Sequence, residues 1–307
     1  MLINGVDTEK LTLVVRPELV RPVIPGRTLQ LDGDFVAYFV SAANDVSIED
    51  MFKNADTIIK RLKEAAGAEH CVVHLTPHGS TKGGRYNICR LKKYQANREG
   101  KAKPEFLEHV RIHLAENCNG KLWEDLEADD GMSMYQHACV EAGHPELSVI
   151  CSKDKDLRIV QGYHLDWDTL ELVNTDFFGE IHMEAKKSGS KLVGSGFKFF
   201  CAQMLMGDPA DNVSGIPGVF RDGKIKKCGP VMAYSIVSKT RTPKEAIAAI
   251  VREYAMYSNA QGFVSYTGED LSWDEAFFSE AKLLWMRRFP DENDIESLIK
   301  EIMHEDN

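Results

Sequence analysis

The chain has 307 residues, 43% of them hydrophobic and 27% charged, with a formal net charge of −10. That length holds one large domain or two modest ones, and the composition excludes a disordered or collagen-like chain. No apolar run reaches bilayer-spanning length, Met1 to Lys10 lack the pattern of a secretory signal, and the 7 cysteines form no CxxC pair; a reduced cytoplasmic protein without a disulfide framework, a zinc ribbon or a membrane partner is expected.

A net negative charge disfavours nucleic acid as a partner. The charge is uneven, however. No acid occurs from His70 to Arg98, where Lys82, Arg85, Arg90, Lys92, Lys93 and Arg98 are basic. A second basic stretch holds Arg221, Lys224, Lys226 and Lys227 against Asp222. A phosphate backbone responds to the local field more than to the total. The plain alternative is a pair of solvated faces.

Pro17, Pro22 and Pro25 oppose a helix near the N-terminus, and Val14-Val15 and Leu19-Val20 suggest short extended pieces. Residues 28–34 read as a strand ending at Asp32, with Gly33 supplying an abrupt turn; an ordinary Asp-Gly turn explains the same residues. Over 48–68 apolar residues recur at spacings of three and four behind an N-cap at Ser47, which predicts an amphipathic helix. A buried strand over 71–76 follows. Strand, helix, strand in this order predicts a parallel sheet with crossover helices.

Residues 77–103 are poor in apolar side chains, carry Gly79, Gly83, Gly84 and Gly100, and read as a long mobile insertion. Tyr86 and Tyr94 could stack on bases there or pair with arginines. A helix resumes over 104–118. Glu127, Asp129 and Asp130 then crowd into one stretch that opens a helix running to about Gly143. A helix N-terminus favours acids, so an acidic first turn is the ordinary reading. A strand over 147–152 leads into Asp154 and Asp156, again at a strand end, where sites form in open α/β sheets. Residues 163–196 read as irregular or hairpin structure. A short apolar helix over 197–206 precedes Asp208, Asp211 and a Gly215-Ile216-Pro217-Gly218 turn whose amides could approach phosphate. Helices are predicted over 243–257, 273–287 and 292–304.

Taken together, Asp32, Glu127, Asp129, Asp130, Asp154, Asp156, Asp208 and Asp211 would repel severely if they converged. Two carboxylates about 5 Å apart repel by roughly 3 kcal/mol at an effective dielectric near 20. Such a cluster needs divalent cations, and all-oxygen ligation points to two or more Mg2+ or Mn2+ ions rather than zinc. Paired ions can activate water and stabilise a leaving oxygen in phosphodiester cleavage.

The motifs Leu31-Asp32-Gly33-Asp34, Glu127-Ala128-Asp129-Asp130, Ser152-Lys153-Asp154-Lys155-Asp156, Gly207-Asp208-Pro209-Ala210-Asp211-Asn212 and Gly215-Ile216-Pro217-Gly218 occur in one order. In that order the chain resembles the 5′-nuclease family: flap endonucleases, the 5′ nuclease domains of bacterial DNA polymerases, and bacteriophage 5′–3′ exonucleases. The resemblance spans about 28–235 and implies an α/β fold, with a mostly parallel sheet and helices on both faces in a PIN-like nuclease core. It further implies a core over 1–200 with a helical arch insertion at 77–103. A helical DNA-binding region over 201–307 would carry a helix-three-turn-helix at about 208–240, where a potassium ion is a further candidate. The implied activity is metal-dependent 5′–3′ exonuclease or flap endonuclease cleavage of DNA with a free 5′ end, in phage replication or degradation.

By the same resemblance, Asp32, Glu127 and Asp129 bind a first metal, and Asp129, Asp154, Asp156 and Asp208 serve a second. Asp130 and Asp211 reach the ions through water, and Arg98 joins the catalytic set. Arg85, Lys92, Lys93, Tyr94, Arg98, Gly215, Ile216, Gly218, Lys226 and Lys227 would contact DNA. The chain departs from the family pattern where Gln95 stands for an arch lysine. It departs again where Phe220 to Cys228 enlarge the DNA-gripping hairpin, and where an aspartate is missing after the second strand. Pro77-His78 stands there, and His78 is an open candidate for ligating manganese or holding a metal-bound water. Two other readings stay open: a PIN-like ribonuclease, and a catalytically impaired DNA-binding replication protein.

Overall fold

The computed structural model describes residues 2–3, 6–7, 19–186, 189–291 and 293–304. Val14-Val15 lies outside the described residues; Leu19 and Val20 are exposed coil. At the N-terminus β1 (Leu2–Ile3) and β2 (Val6–Asp7) pair antiparallel. The central sheet begins with β3 (Ile24–Asp32), which runs into α1 (Gly33–Ser41) and α2 (Ile48–Ala66) before β4 (Ala68–Leu75). In α2 the Ser47 side chain accepts the Asp50 amide, and Met51, Ala55, Ile58, Leu62 and Ala65 are buried. Gly67 ends that helix in the left-handed region at φ 61, so the chain turns into β4 at Ala68, earlier than periodicity implies.

Beyond the insertion, α3 (Arg85–Ile88) included, come α4 (Leu107–Asn117), β5 (Gly120–Leu122), α5 (Ala128–Glu141), β6 (Ser148–Cys151), β7 (Gly162–Leu165) and β8 (Leu172–Thr175). The sheet order is β5-β4-β3-β6-β7-β8, parallel throughout except for β8 on β7. Connections leave β3 toward β4 on one side and return to β6 on the other. Where a doubly wound sheet reverses in this way, a crevice opens at the carboxyl ends of the strands. Here those ends are Asp32 and the segment after Cys151.

Side chains alternate across the sheet. Leu29, Leu31, Val73, Leu75, Val149 and Cys151 pack under α1, α2 and α4. Ile150 faces the other way, with Met132 of α5 and the C-terminal helices. Those are α6 (Gly196–Met206), α7 (Pro230–Val237), α8 (Pro243–Gln261), α9 (Trp273–Leu284) and α10 (Asp294–His304). Three antiparallel pairs accompany them: β9 (Ile181–Lys186) with β10 (Gly189–Gly194), β11 (Val219–Arg221) with β12 (Lys224–Lys226), and β13 (Phe263–Val264) with β14 (Asp270–Leu271). No helix among the described residues is long and apolar enough to cross a membrane.

One expectation changes. The insertion is not a helical arch: it holds only α3 and 3-10 turns at Lys82–Gly84 and Ala96–Arg98. Its glycines adopt positive φ, and buried Arg85, Cys89, Tyr94 and Gln95 pin it to the core. The residues from Phe220 to Cys228 that lengthen the turn between α6 and α7 include the hairpin β11–β12.

Candidate metal centre and nucleic-acid cleft

Each acidic motif is aimed by the element that carries it. Asp32 ends β3 and caps α1: its Oδ1 accepts the Phe35 amide at 2.9 Å, and its Oδ2 accepts the Ser152 hydroxyl at 2.6 Å. Gly33 serves this placement by a close approach and not by an unusual turn. A Cβ there would lie 2.6 Å from the His74 carbonyl and from Val73. Past β6, Ser152 Oγ accepts the Asp154 amide at 2.9 Å and Asp154 Oδ1 accepts the Asp156 amide at 2.8 Å. These bonds fold the acidic loop back over the sheet edge. Glu127 caps α5, and Asp129 and Asp130 occupy its first turn.

The acids then divide. Asp32, Asp129 and Asp154 are all raised, by burial first and then by neighbouring acids. Burial and Asp34 push Asp32 up to about 7, against its two hydrogen bonds. Burial, Asp32 and Asp154 drive Asp129 well above the usual carboxylate range. Burial likewise raises Asp154. Among the described residues no ion pair links a cation to these three. Glu127 is raised by burial, although Arg85 and Lys82, each at 3.2 Å, pull it back; the Tyr94 hydroxyl donates to it at 2.9 Å.

A second group lies beside them. Single carboxylate oxygens of Asp156, Asp208 and Asp211 all stand within 4.8 Å of one another. The Lys155 ammonium lies between two of these acids, 2.6 Å from Asp156 and 3.0 Å from Asp208. Gln203 of α6 donates to Asp156. Burial and Asp154 lift Asp156 well above its ordinary value; Lys155 and hydrogen bonds hold Asp208 low despite burial. Asp208 Oδ2 is buried without a hydrogen-bond partner. Such an orphan is costly, and a cation is the simplest partner for it.

A cleft of about 670 Å³ exposes Asp32, Asp129, Glu127, Asp154 and Asp211. Cations line its rim: Lys82, Arg98, Lys103 and Arg111. The insertion closes one side. Gln95 donates its backbone N–H to the Asp211 carbonyl at 2.9 Å and its side-chain amide to Asp211 Oδ1 at 2.7 Å. Arg98 pairs with the same oxygen at 2.5 Å. Exposed His78 also lines the cleft, at the end of β4 where no acid stands.

Several expected contacts are elsewhere. Asp130 is fully buried and held by Arg85 through bonds of 2.6 and 2.8 Å, with the Arg287 amide at 3.2 Å, so it is a structural anion and not a metal ligand. Arg85, 1% exposed, spends its charge on Asp130 and Glu127 and cannot reach DNA. Tyr94 lines the cleft but is only 2% exposed; Tyr86, packed edge-on against it, is the exposed aromatic there, beside half-buried Phe35 and Tyr38. In the Gly215-to-Gly218 turn the first two amides point inward. Gly215 donates to Glu280 at 2.7 Å and Ile216 to the Met204 carbonyl at 3.1 Å. Gly218 is buried against Ile225. These three residues therefore offer no surface to phosphate. Lys92, Lys93, Lys226 and Lys227 are exposed, Lys93 beside Glu99 and Lys226 beside Asp222, 2.7 and 2.6 Å away.

Sequence reasoning missed Asp34, which lines the cleft, accepts the Thr76 amide at 3.0 Å and pairs with Arg111 at 2.6 Å. It also missed Lys155 and Gln203. Asp34 carried a signal, an acid two positions past Asp32; Arg111 and Gln203 carried none.

No protein-family model matches the chain, and no curated protein matches it. Solved structures do. The bacteriophage T5 flap endonuclease, in a pseudo-enzyme–product complex with DNA and metal ions, matches with a TM-score of 0.59. A T5 protein co-crystallised with metal ions gives 0.55, and a T5 5′-exonuclease with zinc bound gives 0.54. Each is 13% identical, over 90% of this chain and 98% of the other. The chain therefore has the fold of these 5′ nucleases: a mostly parallel α/β sheet flanked by helices.

Proposed function

We propose that the chain is a divalent-metal-dependent nuclease that cuts DNA with a free 5′ end or a 5′ flap. The observation that carries this reading is the convergence of Asp32, Asp129 and Asp154 at the edge where β3 and β6 end, each raised by burial and by neighbouring acids and none ion-paired with a cation among the described residues. The residues fit divalent ions. Their donors are all carboxylates, Asp208 keeps a buried unpartnered oxygen, and Lys155 already serves as a cation between Asp156 and Asp208. Asp32, Glu127, Asp129 and Asp154 would hold one ion, and Asp154, Asp156, Asp208 and Asp211 another. When bound, such ions supply an activated water and charge stabilisation for the leaving oxygen.

The rest falls to the chain itself. Arg98, Lys82, Lys103 and Arg111 attract the phosphate backbone to the rim, Tyr86 offers a stacking face, and Lys92, Lys93, Lys226 and Lys227 extend the basic surface. The 5′ polarity and the preference for DNA rest on the resemblance and on the T5 structures. With no acid after β4, one carboxylate fewer faces the first ion, so manganese should stimulate more than magnesium. The test is Asp154→Asn on a labelled 5′-flap duplex in magnesium. Cleavage should fall by orders of magnitude while gel-shift binding persists. Full activity of the variant, or 3′-end preference of the wild type, overturns the proposal. Cleavage of RNA flaps alone selects the ribonuclease reading.

A further inference from the structure

Apart from the cleft, a mixed donor set gathers between α2 and α4. Asp56 stands on α2, His113 in the carboxyl half of α4, and Cys118 is the residue that caps α4. His113 Nε2 and Asp56 Oδ1 are 2.9 Å apart, and Cys118 Sγ lies 3.3 Å from the same oxygen. One donor atom from each lies within 4.8 Å of the other two. None of the three lines the cleft.

We propose that Asp56, His113 and Cys118 form a separate site for a zinc-class divalent cation, which staples α2 to the end of α4. The chemistry differs from that of the cleft. Sulfur, imidazole and carboxylate together suit zinc or cobalt, whereas an all-oxygen set suits magnesium. With bonds of about 2.0–2.3 Å, donors around a tetrahedral ion stand roughly 3.3–3.8 Å apart. The observed spacings need only a small side-chain rotation to match. Asp56 can supply it, because its side chain is 55% exposed, while that of His113 is 14% exposed. The imidazole ring is held by Phe52, four positions before Asp56 on α2, at a centroid distance of 4.4 Å and an interplanar angle of 6°. The carboxyl end of α4 also favours a cation. Water completes the fourth position on the exposed side.

The two hydrogen bonds that join these residues offer a simpler account, and the experiment separates the two. Cobalt(II) is added to the full-length protein in excess magnesium. Wild type should bind one equivalent with a thiolate-to-cobalt charge-transfer band and tetrahedral visible bands. The cleft acids are oxygen donors and give no thiolate band. Cys118→Ser should abolish the band, and His113→Gln should weaken binding by about tenfold or more, since even removing an outer partner of a metal site costs that much. Zinc should raise the melting temperature of wild type by more than that of Cys118→Ser, whose cleft still takes metal, each shown folded by circular dichroism. Absence of the band in wild type, its survival in Cys118→Ser, or unchanged affinity in His113→Gln overturns the site.

Discussion

Asp129 and Asp130 are neighbours in the first turn of α5, and the protein treats them oppositely. Asp130 faces inward, where Arg85 and the Arg287 amide hold it below the usual carboxylate range although burial alone would raise it. Asp129 faces Asp32 and Asp154 and is raised well above that range. A single residue step thus separates an acid that holds the insertion and the Trp285 segment to the core from one that has no ion-pair partner among the described residues. Acids whose charge is cancelled internally are structural. Acids whose charge is left uncancelled mark where an external cation belongs.

The comparison can be broken most severely by exchanging the two roles. Asp129→Asn should lower single-turnover cleavage by orders of magnitude, yet leave the metal-free melting temperature unchanged or higher, because it removes repulsion. Asp130→Asn should cost about 3–5 kcal/mol of stability by leaving Arg85 buried and under-compensated. Paired denaturant unfolding and cleavage measurements decide; equal stability losses in the two variants would erase the distinction.

The pH dependence of the metal-free protein comes next. The folded Asp32 carboxyl holds its proton up to about 7, whereas its ordinary value is 3.8. Its stabilising contribution is therefore complete below the unfolded value and lost as pH rises through the folded one. Asp130 runs the other way, contributing above its unfolded value and losing that contribution on acidification. Melting curves at about pH 6 and about pH 8 without metal should show the less stable protein at the higher pH, and magnesium or manganese should flatten the difference. A metal-free protein equally stable at both would contradict the unpaired cluster.

Lys155 tests the intermediate case, a cleft acid pair with an internal cation. Lys155→Met should destabilise the metal-free protein and tighten manganese binding, because the ion no longer displaces an ammonium between Asp156 and Asp208. Calorimetric titration reads both; weaker manganese binding would assign Lys155 a supporting role instead. The smallest effect concerns Arg98, which pairs with Asp211 at the rim. Arg98→Ala should slow single-turnover cleavage more than Lys101→Ala does, since a guanidinium can stabilise developing phosphate charge. Equal small losses would leave Arg98 as part of the general basic field.

Much of this was legible in the chain alone. Apolar periodicity and capping residues marked α2, α5 and the strands, because those signals lie within a few residues of one another. Acids placed directly after predicted strands marked the sheet edge, because parallel strands share one carboxyl end. What the sequence left open was which acid would be neutralised. Arg85 and Asp130 are 45 positions apart, Arg111 and Asp34 77, Arg98 and Asp211 113. Nor could the sequence show that Glu280 consumes the Gly215 amide, or that Tyr94 turns inward. Local patterns fix where a residue sits along an element. Charge compensation is a contact between elements, and only the packing of the folded chain decides which carboxylates meet a cation and which are left facing one another.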